Sequence, residues 1–156
     1  MRGENFIPKT KIRLRLIIPK NGRILLMYDS KNDYYFYIGG KLEFGETVKE
    51  GCIREIKEEC GQNTKFKFKK ILYIRDFILP EEDEHSLELY ILGEINKGKK
   101  LEGKVDKEFK DKSKWLTWKK IESLPKNLFP KSLTAKLLAD YKTGFKIQGE
   151  YLGKTY

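Results

Sequence analysis

The stretch from Gly40 to Gln62 reads GKLEFGETVKEGCIREIKEECGQ. It sets Glu46, Arg54, Glu55, Glu58, Glu59 and Gly61 behind a Gly39-Gly40 turn. Counting Glu50, five glutamates crowd into the short loop-and-helix segment from Glu46 to Glu59. Carboxylates held close together repel unless a cation sits among them. A divalent-metal site is the first reading, and its place beside a glycine turn points to phosphate chemistry.

Local signals define the helix that carries these groups. Thr47 caps a helix expected from about Val48 to Cys60, and Gly61 ends it as a left-handed cap. At about 100° per residue, Val48, Cys52, Ile53, Ile56 and Cys60 share one arc, the expected buried stripe. Lys49 falls inside that arc as a misfit. Glu55 and Glu59 lie one turn apart at its edge, with Glu58 beside them. Like charges at that spacing destabilise an isolated helix, so the pair asks for a compensating cation. Gly51 falls on the same face, where a missing side chain would leave room for metal and diphosphate.

The spacing resembles that of the Nudix hydrolases. Gly40, Glu46, Arg54-Glu55, Ile56, Glu58-Glu59 and Gly61 stand at the family's positions. Gln62 departs from the usual aliphatic residue, and Ile38 replaces the proline that commonly precedes the two glycines. Neither departure removes a metal ligand. The resemblance implies an α/β/α sandwich, a mixed β-sheet between helices, and residues 1–156 are expected to form one such domain. It also implies roles. Glu58 and Glu59 would be the main metal ligands, and the Gly40 carbonyl a further one. Glu55 would be another ligand or the general base, oriented by Arg54. Glu46 would support the site through Arg54 or the ligand shell. Glu108 would be a loop carboxylate that binds metal or takes the proton. Mg²⁺ is the expected ion, with Mn²⁺ as an alternative.

The rest of the chain supplies strands. Ile12, Leu14 and Leu16 alternate with Arg13 and Arg15, a half-buried strand stopped by Pro19. Asn21-Gly22 marks a hairpin into Arg23–Tyr28, and Tyr34–Ile38 runs into the glycine turn. Lys65–Phe77 reads as one bent strand or two, and Leu87–Ile95 as another. Asn96–Lys114 has the composition of a mobile loop. A short strand at Trp115–Trp118, a helical turn at Lys119–Leu124 and a helix at Lys131–Lys142 follow. The tail from Gly144 onward has no family counterpart and no readable role.

Outside the central motif the candidates are fewer. On its strand Glu88 points away from Leu87 and Leu89 and is a candidate to face the site. Arg13, Arg15 and Arg75 sit on strands where they can meet phosphates, and Arg75 joins Gly39, Gly40, Glu46 and Glu88 as a substrate-binding candidate. His85, the one histidine, flanks an acidic loop at Glu81–Glu84. Tyr28, Tyr35, Tyr37, Tyr73 and Phe77 are available for stacking on a base.

Composition sets the outer bounds. The 156 residues carry a formal charge of +10. Lysines spread along the whole chain read first as a solvated surface, with attraction of a polyanion as the functional alternative. No apolar run reaches membrane-spanning length and the N-terminus lacks a signal-peptide core, so a cytoplasmic location and no membrane partner are expected. Cys52 and Cys60, about 12 Å apart along one helix, are expected to be reduced and buried. One histidine and no CxxC pair leave little for zinc. The expected activity is Mg²⁺-dependent cleavage of a diphosphate bond in a nucleoside triphosphate or an ADP-ribose-like substrate, by a monomer or homodimer. RNA 5′-end processing and a non-catalytic nucleotide- or RNA-binding module are the alternatives.

Overall fold

The computed structural model of the protein describes residues 7–105 and 112–156. Nine strands and two α-helices follow in the order β1 (Lys11–Ile17), β2 (Pro19–Lys20), β3 (Arg23–Asp29), β4 (Tyr34–Lys41), α1 (Val48–Cys60), β5 (Phe66–Leu79), β6 (Glu84–Ile95), β7 (Lys114–Lys120), β8 (Leu128–Phe129), α2 (Thr134–Lys142) and β9 (Glu150–Lys154). The sheet is mixed and ordered β2-β3-β4-β1-β6-β5-β9, with β7 on β3 and β8 on β4. β1 runs parallel to β6 and antiparallel to β4.

Strand alternation divides the core between the two sides of this sheet. Leu14, Leu16, Ile38 and Ile91 pack with Cys52, Ile56 and Cys60 of α1. Ile17, Tyr37, Tyr90 and Leu92 pack with Leu133 and Leu137 at α2. The result is the expected α/β/α sandwich. No helix among the described residues is long and apolar enough to cross a membrane.

Several boundaries differ from the sequence reading. β5 is a single 14-residue strand with two bulges against β6. Glu84 belongs to β6, where Lys11 and Arg13 of β1 both bond its carboxylate. Part of the expected mobile loop is tied down. Leu101 is buried, Val105 bridges Trp115, and Glu102 accepts hydrogen bonds from Thr117 and Trp118. The tail is structured as well: β9 lies parallel along β5 as an outermost strand.

β4 decides where a site can form. Its Leu26-to-Asp29 partners pair Tyr34–Tyr37, whereas β1 pairs Ile38–Lys41. The strand thus passes from one set of partners to another at the Tyr37-Ile38 junction, just before the two glycines.

Candidate active site

Helix α1 begins as read. Thr47 and Glu50 form a reciprocal capping box, so Glu50 serves the helix start. Its C-terminus differs. Gly61 adopts φ 106°, ψ 148°, outside the left-handed helical region expected of it. The Lys97 ammonium donates to the Cys60 carbonyl at that end. Gln62 is exposed, which explains how a polar residue is tolerated there.

The buried face of α1 also differs. It is made of Gly51, Cys52, Glu55, Ile56, Glu59 and Cys60, while Ile53 is only half-buried and Lys49 is exposed. Gly51 is no ligand cradle. A Cβ there would meet Leu14 Cδ1 at 2.7 Å and Leu42 Cδ1 at 2.8 Å, so this glycine lets the helix approach β1. Both cysteines are free and buried, and burial pushes each thiol up to about 12.

The carboxylates converge on Arg54 and the glycine pair. Arg54 Nη2 and Nε fork onto Glu46 at 2.6 and 3.0 Å. Its Nη1 donates to Glu55 at 2.9 Å and to Glu58 at 3.3 Å. Glu43 lies 3.7 Å from Nε, and Nη2 also reaches the Lys41 carbonyl at 3.0 Å. The Arg54 hydrogen bonds hold the Glu46 carboxyl below the usual carboxylate range, and the same contact raises Arg54. Part of the compensating cation inferred from the helix repulsion is therefore this guanidinium. Glu43, Glu46, Glu55 and Glu58 thus share this one guanidinium, four carboxylates around a single arginine.

Glu59 points the other way along β4, where the Gly39 N–H donates to its Oε2 at 3.1 Å. Gly40 lies against Glu55, and a Cβ there would come within 2.6 Å of Oε1. Glu55 and Glu59 are buried and Glu58 is half-buried. Among the described residues no three histidine, cysteine, aspartate or glutamate side chains are gathered closely enough to hold a metal ion by themselves. The donor set nevertheless fits a hard divalent cation. Three carboxylates and a backbone carbonyl are all-oxygen ligands, and an ion that keeps several waters does not need a closed cage.

These groups open onto a cleft of about 740 Å³. At one end it is lined by Gly39, Gly40, Glu55, Glu58 and Glu59. Arg13 and Arg15 of β1, Glu88 and Tyr90 of β6 and Arg75 of β5 continue the lining. Tyr34, Phe36, Phe77, Phe129 and Tyr156 add aromatic surface. Glu88 is buried at the centre of a polar network. It accepts hydrogen bonds from Arg75, from Arg15 Nε at 3.2 Å and from the Tyr90 hydroxyl at 2.9 Å.

The candidate residues divide accordingly. Gly39, Gly40, Arg54, Glu55, Glu58, Glu59, Arg75 and Glu88 line the cleft together, whereas Glu46 stands behind it on Arg54. His85 is exposed and is not part of the lining. Among the aromatic candidates Phe77 and Tyr37 reach the cleft, but the Tyr37 ring is buried against Tyr90 in the core. Tyr28, Tyr35 and Tyr73 pack elsewhere. Glu108 falls outside the described residues. Sequence reasoning missed Tyr34, Phe36, Phe129 and Tyr156. Period-two alternation along β4 is a signal that could have found Tyr34 and Phe36, but nothing local marks Phe129 or Tyr156.

The architecture is shared with solved structures. A MutT NUDIX hydrolase from Burkholderia pseudomallei is 22% identical, with TM-score 0.62 over 84% of this chain and 97% of that one. An ADP-ribose pyrophosphatase from Streptococcus suis is 20% identical, with TM-score 0.60 over 95% and 99%. A UDP-X diphosphatase is also 20% identical, with TM-score 0.63 over 96% and 70%. No curated protein sequence matches the chain. Identities this low speak for the fold alone. The family follows from residues 11–137, which match the NUDIX domain across the glycines and glutamates described above, and the chain belongs to the NUDIX hydrolase family.

Proposed function

We propose that this protein is a Mg²⁺-dependent pyrophosphohydrolase that cleaves the diphosphate bridge of a nucleoside triphosphate or an ADP-ribose-like substrate. The observation that carries this reading is one cleft with two chemistries. A cluster of carboxylates with a single arginine lies at one end, and three arginines with aromatic rings line the rest.

Glu58 and Glu59, with Glu55 and the Gly40 carbonyl, would hold the metal. When bound, Mg²⁺ supplies charge neutralisation on the diphosphate and acidifies an attacking water. Arg54 fixes the carboxylates through its fork to Glu46, so the ligand face is set before substrate arrives. Arg13, Arg15 and Arg75 supply positive charge toward the phosphates. A carboxylate, Glu55 or Glu108, takes the proton of water as its oxygen attacks phosphorus. The P–O bond of the bridge breaks, and the leaving phosphate carries away the electron pair.

Product identification on a panel of nucleoside triphosphates, ADP-ribose and 5′-triphosphorylated RNA, with and without Mg²⁺, tests the assignment. Release of nucleoside monophosphate, with pyrophosphate or ribose phosphate, only with metal is expected. Turnover confined to RNA ends would move the substrate to RNA, and none on any substrate would make the protein a binding module. Glu55→Gln and Glu108→Gln, assayed for turnover and Mg²⁺ binding in parallel, identify the base. Its loss lowers kcat by about two to four orders of magnitude with little change in metal affinity.

A further inference from the structure

The tail beyond the NUDIX match is built into the cleft. β9 follows β5 in parallel, with Ile74 opposite Tyr151 but Arg75 opposite Gly153, so Leu152 is bulged out. Gly153 has φ +70°, the left-handed conformation such a bulge uses. Beyond the bulge the chain crosses Arg75, and the Thr155 carbonyl accepts from Arg75 Nε at 2.7 Å. Tyr156 then lines the cleft and is held from two sides. Its hydroxyl donates to the Ile78 carbonyl at 3.4 Å, and its main-chain oxygen accepts from Ser132 N–H at 3.0 Å.

Arg75 is the residue this arrangement controls. It is buried, it bonds Glu88, and its guanidinium stacks 4.9 Å above the Phe77 ring. Arg15 and Arg75 share Glu88, so one buried carboxylate serves two guanidinium groups and the set is left with excess positive charge. With Nε on the tail and Nη1 on Glu88, Arg75 keeps Nη2 without a hydrogen-bond partner among the described residues. A guanidinium donor that lines the cleft beside an aromatic ring suits a planar, acceptor-bearing group.

We propose that residues 150–156 are a positioning element of the substrate cleft. The Thr155 carbonyl aims Arg75, and Tyr156 forms the wall against which the nucleoside part of the substrate packs. The tail thereby sets affinity and base preference without taking part in bond cleavage. This rests on the cleft being the nucleotide site, a premise that the binding arm below tests separately from hydrolysis.

Four variants test it: Tyr156→Ala, Tyr156→Phe, deletion of residues 155–156, and Tyr151→Phe. The last is a control that removes only the tail's hydroxyl contact with Asp76 outside the cleft. KM and kcat are measured on the best substrate of the panel. Binding of ADP, GDP, CDP and UDP is measured by calorimetry without metal, and thermal unfolding reports folding. Loss of a stacking ring predicts about a tenfold rise in KM and Kd for Tyr156→Ala, with kcat within about twofold. Tyr156→Phe and Tyr151→Phe stay near wild type, and the deletion is at least as weak as Tyr156→Ala. Should the deletion not fold, Tyr156→Ala against Tyr156→Phe decides. Unchanged KM and Kd in a folded Tyr156→Ala variant overturn the proposal, as does an intact chain that binds none of the four diphosphates. Binding weakened by Tyr156→Ala in a chain that hydrolyses nothing upholds the tail's role and rejects the hydrolase reading.

Discussion

Gly40 and Glu55 are in such close contact that a single added carbon at Gly40 would fall 2.6 Å from the Glu55 carboxylate oxygen. Gly40 is not among the positive-φ residues, so alanine suits its backbone and only the side chain would collide. Gly40→Ala is expected to fold normally, displace Glu55 and lower kcat by about ten- to a hundredfold. Gly39→Ala should fail differently. Gly39 has φ +133°, and its Cβ would lie 2.0 Å from the Leu14 carbonyl oxygen, so about 1–3 kcal/mol of stability is lost from backbone strain alone. Urea unfolding and steady-state kinetics on the two variants separate these outcomes. Equal stability losses in both would contradict the contact.

Arg54 acts through carboxylates, since its hydrogen bonds go to Glu46, Glu55, Glu58 and the Lys41 carbonyl. Lysine cannot reproduce the two-pronged contact with Glu46. Arg54→Lys is expected to lower kcat by about ten- to a hundredfold, to change KM by less than about threefold, and to lower the melting temperature. A pure KM effect would instead make Arg54 a substrate contact.

Glu58→Gln and Glu59→Gln each remove one negative charge from the crowded helix face. Turnover should fall by about two to three orders of magnitude in each, with weaker Mg²⁺ binding by calorimetry. Glu59→Gln should also disturb the Gly39 N–H contact, so its stability gain from reduced repulsion is the smaller of the two. Near-normal Mg²⁺-dependent turnover in both variants would remove these residues from the metal site.

Glu84 links β1 to β6 through Lys11 and Arg13. Burial alone would raise its carboxyl, but hydrogen bonds from Ser86, Lys11 and Arg13 outweigh it and hold the group at about 2. A folded-state value below the unfolded one stabilises the protein at pH above about 4.5, where the unfolded carboxyl is also ionised. That contribution declines as pH falls below about 4.5 and is gone near 2. Stability curves across this window should be flatter in Glu84→Gln than in the wild type, and parallel curves would assign the acid sensitivity elsewhere.

The helix that bears the glutamates was legible in the sequence because its determinants are local. Thr47 and Glu50 cap it, Cys52, Ile56 and Cys60 give it a buried stripe, and Gly40, Glu46, Arg54, Glu55, Glu58 and Glu59 keep family spacing. The strands were legible for the same reason, as period-two alternation is written along each segment. Roles that depend on a distant neighbour were misread or unread. Gly51 looked like space for a ligand until Leu14 and Leu42 were seen against it. Gly61 looked like a left-handed cap, but its backbone took another conformation where Lys97 reaches the helix end.

What the sequence by itself determined is the helix, its ring of carboxylates and the alternation that buries one side of each strand. Tertiary structure alone decided which far-apart residues share the cleft. Glu88 meets Arg15 because β1 lies parallel to β6, and Arg75 meets Thr155 because β9 adds to β5 through a bulge at Gly153. Such contacts span tens of residues, and no local propensity encodes them. They exist because burying both faces of the sheet forces one strand order and register, and a buried charge must find its partner within it.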